Sequence, residues 1–324
     1  ANKMGKRITA IDLGTHTISV LVCEEENDGI RVIAYERTNS DGIKKGIIYN
    51  IQKTMIALRM LINKIQEEKG ITINEAVVNI SGRLKRCEPY SFDIIRREPN
   101  SFISAAEIAK MNNEAMSYPV KGDEKVLYAI PKAFNVDDYI GKDFKDLEGS
   151  IGRDVTCNYN LMIGRAVQFN NIKKLFESLK INVTEYILTP IASARSILTK
   201  DERELGVAVI EIGAGTTNVI VIKEDQIKHI AVIPFAGASI TEDIRIATST
   251  SSMKSEIMKV KYGTCLESSV LENKTIVVKD NLGGREDKMV SFKDLSHYIE
   301  ARVTEILEAV LYEIKENGLM NGIT

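Results

Sequence analysis

The chain has 324 residues, 44% apolar and 27% charged, with a formal net charge of −2. That length asks for more than one core. With no basic face and no aromatic–basic interleaving, no nucleic-acid partner is expected. No apolar run approaches the roughly 20 residues of a membrane-spanning helix. No apolar stretch stands between the basic N-terminal residues and the first strand, so no signal peptide is expected. Cys23, Cys87, Cys157 and Cys265 are scattered, and the three histidines lie far apart, so neither a disulfide framework nor a zinc site is expected. A reduced, cytoplasmic protein fits this pattern.

In chain order, residues 7–35 read as two or three strands. A helix follows, with Asn50 as N-cap, an apolar stripe of Ile51, Met55, Leu58, Ile62 and Ile65, and Gly70 at its end. Residues 76–80 read as a buried strand closed by Ser81-Gly82, which gives an α/β layer. From about 83 to 160 the texture changes to a small inserted α+β subdomain. It has a capping box, Ser104 with Glu107, and strand-like runs at 125–130 and 132–136 on either side of Pro131. Within it, Ile94-Ile95-Arg96-Arg97 reads as a solvated strand edge. Residues 161–166 read as a strand returning to the first domain, and 170–179 as an amphipathic helix. The second half opens near Leu205. It carries a strand at 225–233, a helix at about 252–260, and a hairpin of 274–278 with 288–290 around Asn281-Leu282-Gly283-Gly284. A long last helix has the stripe Leu295, Ile299, Val303, Ile306, Val310 and Ile314.

One pattern occurs twice. Ile11-Asp12-Leu13-Gly14-Thr15-His16 and Ile210-Glu211-Ile212-Gly213-Ala214-Gly215-Thr216-Thr217 each follow an apolar strand with an acid, an apolar residue and a small-residue turn. Each then returns into another apolar run. A single Gly/Thr tip reads as a tight turn. Two tips in matching contexts read as a phosphate clamp, because small residues let backbone N–H groups approach phosphate oxygens. The acids suit the water shell of Mg²⁺, which keeps most of its waters. Asp12 is the candidate metal residue, acting through water. His16 is either a phosphate donor or a turn residue without a role.

These hairpins resemble the actin/Hsp70/sugar-kinase superfamily. Within it, two further stretches resemble the FtsA family of bacterial cell-division proteins: Leu188-Thr189-Pro190-Ile191-Ala192-Ser193-Ala194 continuing through Asp201-Glu202-Arg203-Glu204-Leu205-Gly206, and Ser255-Glu256-Ile257-Met258-Lys259-Val260-Lys261-Tyr262-Gly263. The resemblance implies an α/β, actin-like two-lobed fold with an FtsA-type inserted subdomain and an incomplete C-terminal part. Residues 1–82 with 161–200 would form the first lobe and 83–160 the insertion. Residues 201–240 with 295–324 would form the second-lobe core, and 241–294 its small subdomain.

The resemblance implies ATP and Mg²⁺ as cofactors. The implied nucleotide site comprises Asp12, Gly14, Thr15, His16, Glu211, Gly213, Ala214, Gly215, Thr216, Thr217, Gly237, Glu256 and Lys259. Taken alone, Glu256 and Lys259 read as a solvated helix pair. The implied partners are the FtsZ C-terminal tail, through Lys261, further copies of the chain in a filament, and other divisome proteins through 83–160. A C-terminal amphipathic helix would bind the membrane. The implied place is the cytoplasmic face of the membrane at the division site.

Departures from the family pattern weaken hydrolysis. The second hairpin usually reads Asp-Ile-Gly-Gly-Gly-Thr-Thr-Asp, and here Glu211, Ala214 and Asn218 differ. Glu211 is longer by a methylene, Ala214 is expected to crowd the phosphate, and Asn218 lacks a charge. Where relatives place a water-orienting Gln or Glu, this chain has Thr189. At most a slow ATPase is expected. The superfamily's Gly-Gly strand after the last helix and the membrane helix would both follow Thr324, so the sequence is expected to be part of a longer chain with weak or no nucleotide binding by itself. A pilus-assembly adaptor of the PilM type and a small-molecule kinase or phosphatase of the same fold are the alternatives.

Overall fold

The computed structural model describes residues 5–27, 29–279 and 287–323. The first sheet begins with β1 (Arg7–Leu13), β2 (Thr17–Glu26) and β3 (Gly29–Asn39), joined as antiparallel hairpins. A short ribbon, β4 (Ile43–Lys44) with β5 (Ile47–Ile48), leads into α1 (Ile51–Lys69). The Asn50 side chain accepts the Lys53 N–H at 3.0 Å and starts this helix. Gly70, at φ 65°, ends it. Leu58, Leu61 and Ile65 are buried on the sheet, with Met55 and Ile62 beside them. Each such buried aliphatic side chain contributes about 1.5–3 kcal/mol. β6 (Glu75–Ile80) pairs parallel to β1.

The next elements are β7 (Leu84–Ile95), α2 (Ala105–Met116), β8 (Glu124–Val136), β9 (Tyr139–Gly141) and β10 (Asp154–Arg165). They form a four-stranded sheet in the order β7–β10–β8–β9. It shares a core with α2 that includes Met111, Phe134, Tyr159, Leu161 and Ile163.

Three expectations are corrected here. The runs on either side of Pro131 are one strand, β8. Tyr159 pairs with Pro131 and Asn158 with Ala133, so Lys132 is bulged out; a bulge is where a strand tolerates a residue lacking N–H. Residues 161–165 belong to β10 in this sheet and do not return to the first one. The end of β10, Leu161–Gly164, is buried on both faces, with Leu161 and Ile163 in the core shared with α2 and Met162 in the larger core that joins the first sheet to the three-stranded one. That end reads as a continuous apolar run whose sheet the sequence does not specify. Finally, Ile95 is exposed on the edge strand, but Arg96 turns inward and is buried. Its guanidinium bonds the Glu107 carboxylate at 2.9 Å, the Ser101 carbonyl at 3.0 Å and the Gly152 carbonyl at 2.8 Å.

α3 (Ala166–Leu179) and β11 (Asn182–Leu188) complete the first sheet, in the order β11–β6–β1–β2–β3. α4 (Thr189–Ile197) and α5 (Lys200–Leu205) lead to a three-stranded sheet of β12 (Val207–Ile212), β13 (Thr217–Lys223) and β14 (Gln226–Ile233). The run Asp201-Glu202-Arg203-Glu204-Leu205 has a structural task. Carbonyls of Glu204 and Arg203 accept the N–H groups of Glu224 and Asp225 in the β13–β14 turn, each at 3.0 Å, and the Arg203 side chain pairs with Asp225 at 2.7 Å.

The chain continues through α6 (Gly237–Thr248), α7 (Ser252–Tyr262), the hairpin β15 (Thr275–Val278) with β16 (Lys288–Ser291), and α8 (Phe292–Glu316). The expected Asn281-Leu282-Gly283-Gly284 turn lies outside the described residues. The apolar stripe of α8 divides. Leu295, Ile299 and Ile306 pack with Ile244 and Met258, while Val310 and Ile314 pack with Val219 and Ile233.

Candidate functional site

The β1–β2 and β12–β13 tips have the same backbone closure. Gly14 N–H donates to the Thr17 carbonyl and Gly213 N–H to the Thr216 carbonyl, both at 3.0 Å. The tips touch each other. A Cβ on Gly215 would lie 2.5 Å from Thr15 Oγ1, closer than any side chain tolerates, so glycine there permits the approach. Thr15 is also fixed from behind, its hydroxyl accepting the Gly46 N–H at 3.0 Å. Ala214 does not take a positive φ, so the methyl group strains no backbone at the tip itself.

The second tip is braced by the start of α6. Gly237 N–H donates to the Gly213 carbonyl at 3.0 Å, and Ala238 N–H to the Ala214 carbonyl at 2.8 Å. Lys259 on α7 reaches the Gly237 carbonyl at 3.1 Å, Thr241 Oγ1 at 2.8 Å and the Glu256 carboxylate at 2.7 Å. The Thr241 hydroxyl also donates to Glu256. Burial pushes the Glu256 carboxyl up. The hydrogen bonds from Lys259 and Thr241, with the charge of Lys259, outweigh that and hold it below the usual carboxylate range. His16 follows Thr15 at the first-lobe tip.

Asp12 and Glu211 stand at matching strand ends. Asp12 opens to solvent but is crowded by protein on its flanks. That crowding, and secondarily the negative charge of Glu211, raises its carboxyl above the ordinary value. Asn79 Nδ2 donates to Asp12 Oδ1 at 2.8 Å, while Asn79 Oδ1 accepts the Leu13 N–H at 2.8 Å. Glu211 Oε2 accepts from Ser193 Oγ at 2.7 Å and from Asn218 Nδ2 at 3.2 Å. Asn218 Oδ1 is buried and lacks a partner among the described residues. The Thr189 hydroxyl is engaged, lying 2.5 Å from Ser81 Oγ, 3.1 Å from Asn79 Nδ2 and 3.2 Å from the Ile80 carbonyl.

The structure thus brings Asp12, Gly14, Thr15, His16, Glu211, Gly213, Ala214, Gly215, Thr216, Gly237, Glu256 and Lys259 to one interlobe region. Thr217 is turned away, its hydroxyl donating to the Phe235 carbonyl at 2.9 Å inside the second lobe. Lys261 stands apart at the C-terminal end of α7. Asn79, Ser81, Ser193 and Thr241 join the site without having been singled out. Asn79 did carry a signal: it is the one polar side chain in the apolar run Ala76-Val77-Val78-Asn79-Ile80. Among the described residues no cluster of three or more His, Cys, Asp or Glu is arranged to hold a metal directly. The Asp12–Glu211 pair suits a cation that keeps its waters. A separate cavity of about 650 Å³ lies between β8, α4 and the β13–β14 turn, lined by Tyr128, Ile130, Arg195 and Gln226, and shares no hairpin-tip residue.

The family model "Cell division protein FtsA" matches residues 208–324. The FtsA of Pseudomonas aeruginosa is 31% identical over 317 residues, covering 97% of this chain and 74% of that protein. The FtsA of Streptococcus pneumoniae is 29% identical over 313 residues, covering 97% and 68%. Among solved structures, the PilM–PilN type IV pilus biogenesis complex superposes with a TM-score of 0.59 at 13% identity, covering 95% and 77% of the two chains. MreB5 of Spiroplasma citri bound to AMPPNP superposes at 0.50 with 14% identity, covering 98% and 83%. Likeness at such identities speaks for the fold, which is actin-like, two-lobed α/β. With sequence identity of this level extending over almost its whole length, the chain belongs to the FtsA family of cell-division proteins.

Proposed function

We propose that this actin-like cell-division protein binds ATP with Mg²⁺ between its lobes and serves as a filament-forming adaptor at the division site. The observation that carries the reading is the contact of the two small-residue tips with the acids Asp12 and Glu211 behind them. The residues fit the ligand. Both tips are built of small residues, and a Cβ on Gly14 would meet the Thr17 carbonyl at 2.6 Å and one on Gly215 would meet Thr15 Oγ1 at 2.5 Å. Neither acid is ion-paired with a basic side chain among the described residues. Lys259, Glu256 and Gly237 form a polar wall on the second lobe. MreB5, which shares the fold, is bound to AMPPNP.

Bound Mg²⁺ would supply charge neutralisation of the phosphates. Asp12 would orient its waters, with Glu211 beside it, and Gly14, Thr15, Gly213, Gly215 and Thr216 would contact phosphate oxygens. Among the described residues no base is poised for an attacking water: the Thr189 hydroxyl is already hydrogen-bonded, and Glu211, with one oxygen on Ser193 and Asn218, is assigned to the metal's waters. Turnover is therefore slow, and assembly follows occupancy.

For the FtsZ tail, α7 offers exposed Met253, Ile257 and Val260 at helical spacing, with Lys254 and Lys261 alongside. An apolar, acidic peptide suits that face. The inserted subdomain would meet other divisome proteins, and a C-terminal amphipathic helix beyond this sequence would tether the protein to the inner membrane face. Full-length protein is expected to pellet with Mg-ATP and to retain an FtsZ tail peptide. Retention of pilus-assembly peptides in its place would favour the PilM-type alternative.

A further inference from the structure

We propose that Asn79 and Ser193 are positioning residues for the two acids, coupled through one face of helix α4. The inference rests on the nucleotide reading above.

Among the described residues, each acid is held by neutral donors on one oxygen. Asp12 Oδ1 takes the Asn79 amide at 2.8 Å, and Glu211 Oε2 takes Ser193 at 2.7 Å and Asn218 at 3.2 Å. Neutral donors fix a carboxylate's direction without cancelling its charge, as a residue that must face a cation requires. Asn79 is itself immobilised. It is 8% exposed, its Oδ1 accepts the Leu13 N–H at 2.8 Å, and its Nδ2 reaches Thr189 Oγ1 at 3.1 Å. Thr189 is the first residue of α4 and is anchored by Ser81 at 2.5 Å. Ser193 lies one turn further along the same helix face.

A continuous chain of contacts therefore runs from Asp12 through Asn79 to Thr189, along α4 to Ser193, and on to Glu211. The first acid sits on the first sheet and the second on the three-stranded sheet of the other lobe. Their separation is set by the pitch of a helix rather than by two loops, and sites held by rigid elements are held more tightly. A change at either end should be felt at the other.

The test uses the full-length protein with ATP and a Mg²⁺ titration, read by calorimetry, together with ATP binding in excess chelator and the thermal midpoint. Asn79→Ala and Ser193→Ala are each expected to raise the Mg²⁺ concentration at half-saturation about tenfold, the loss of one hydrogen bond to a charged group. Metal-free ATP binding should shift by less than the Mg²⁺ midpoint, and Ser193→Thr should restore the wild-type Mg²⁺ response. The double variant should lose less than the product of the single effects, because both act on one helix. An unshifted Mg²⁺ midpoint in folded variants overturns the positioning role, and fully multiplicative effects overturn the coupling. Should Asn79→Ala fail to fold, Ser193→Ala decides the positioning role and the double variant of Ser193→Ala with Thr189→Val decides the coupling. Absence of any Mg²⁺-dependent ATP binding by the wild type would remove the nucleotide reading itself, and this inference with it.

Discussion

Thr15 and Gly215 belong to different lobes and lie in contact, a Cβ at position 215 falling 2.5 Å from Thr15 Oγ1 and 2.9 Å from Thr15 Cβ. Glycine at 215 is what lets the lobes close to this distance. Gly215→Ala should therefore hold them apart. Overpacking costs about 1–3 kcal/mol, so Mg-ATP affinity should fall about tenfold or more. Removing the opposing side chain with Thr15→Gly should recover most of the loss. A Gly215→Ala protein with wild-type affinity in calorimetry would show that the contact is incidental.

Asp12 carries a second consequence. Its carboxyl is raised by crowding and by Glu211. An acid with a raised folded value stabilises the fold when protonated, and this contribution is lost as pH rises through that value. At neutral pH the ionised Asp12 thus opposes folding of the ligand-free protein. Asp12→Asn should raise the melting temperature without ligand and abolish the further rise that Mg-ATP gives the wild type. A lower ligand-free melting temperature would contradict this trade of stability for binding.

Glu107 has the opposite sign. Its hydrogen bonds from Arg96 and from the backbone and side chain of Ser104 hold its carboxyl down to about 2, despite some burial. The stabilisation is present above the ordinary glutamate value and is lost as pH falls from about 4.5 through about 2. Glu107→Gln should destabilise at neutral pH by about 1–3 kcal/mol, because buried Arg96 loses its counter-charge. It should also flatten the acid limb of the stability curve between those values. Calorimetric melting across that range checks both effects, and an unchanged acid limb would assign the sensitivity elsewhere.

Turnover should be poor. A threonine hydroxyl is no base near neutral pH, and here it is already hydrogen-bonded to Ser81 and close to Asn79. Phosphate release should fall far below the roughly 1–10³ s⁻¹ of typical enzymes. Filaments should form alike in Mg-ATP and a non-hydrolysable analogue. Fast release that disappears in Thr189→Val would assign Thr189 a direct part in the chemistry.

Much of this was legible in the sequence because it is local. Asn50 and Gly70 mark the ends of α1 by capping chemistry alone, and the Ser104–Glu107 box forms as its spacing requires. The repeated hairpins announce themselves as a repeat. What stayed hidden depends on which surfaces meet. The end of β10 from Leu161 to Gly164 is buried on both faces, so its pattern does not say which sheet it joins. Arg96 looks like any surface arginine until Ser101, Glu107 and Gly152 surround it. Asn79 and Ser193 acquire meaning only from Asp12 and Glu211, which are distant in sequence, and no periodicity encodes such a meeting.

The most direct measurement is calorimetric titration of the full-length protein with Mg-ATP, beside its Asp12→Ala variant. One nucleotide per chain is expected for the wild type, with affinity at least about tenfold weaker in the variant, the loss of one charged contact to the metal's waters. Equal affinity in the two proteins, or no binding to the wild type, would contradict a Mg-nucleotide site between the hairpins.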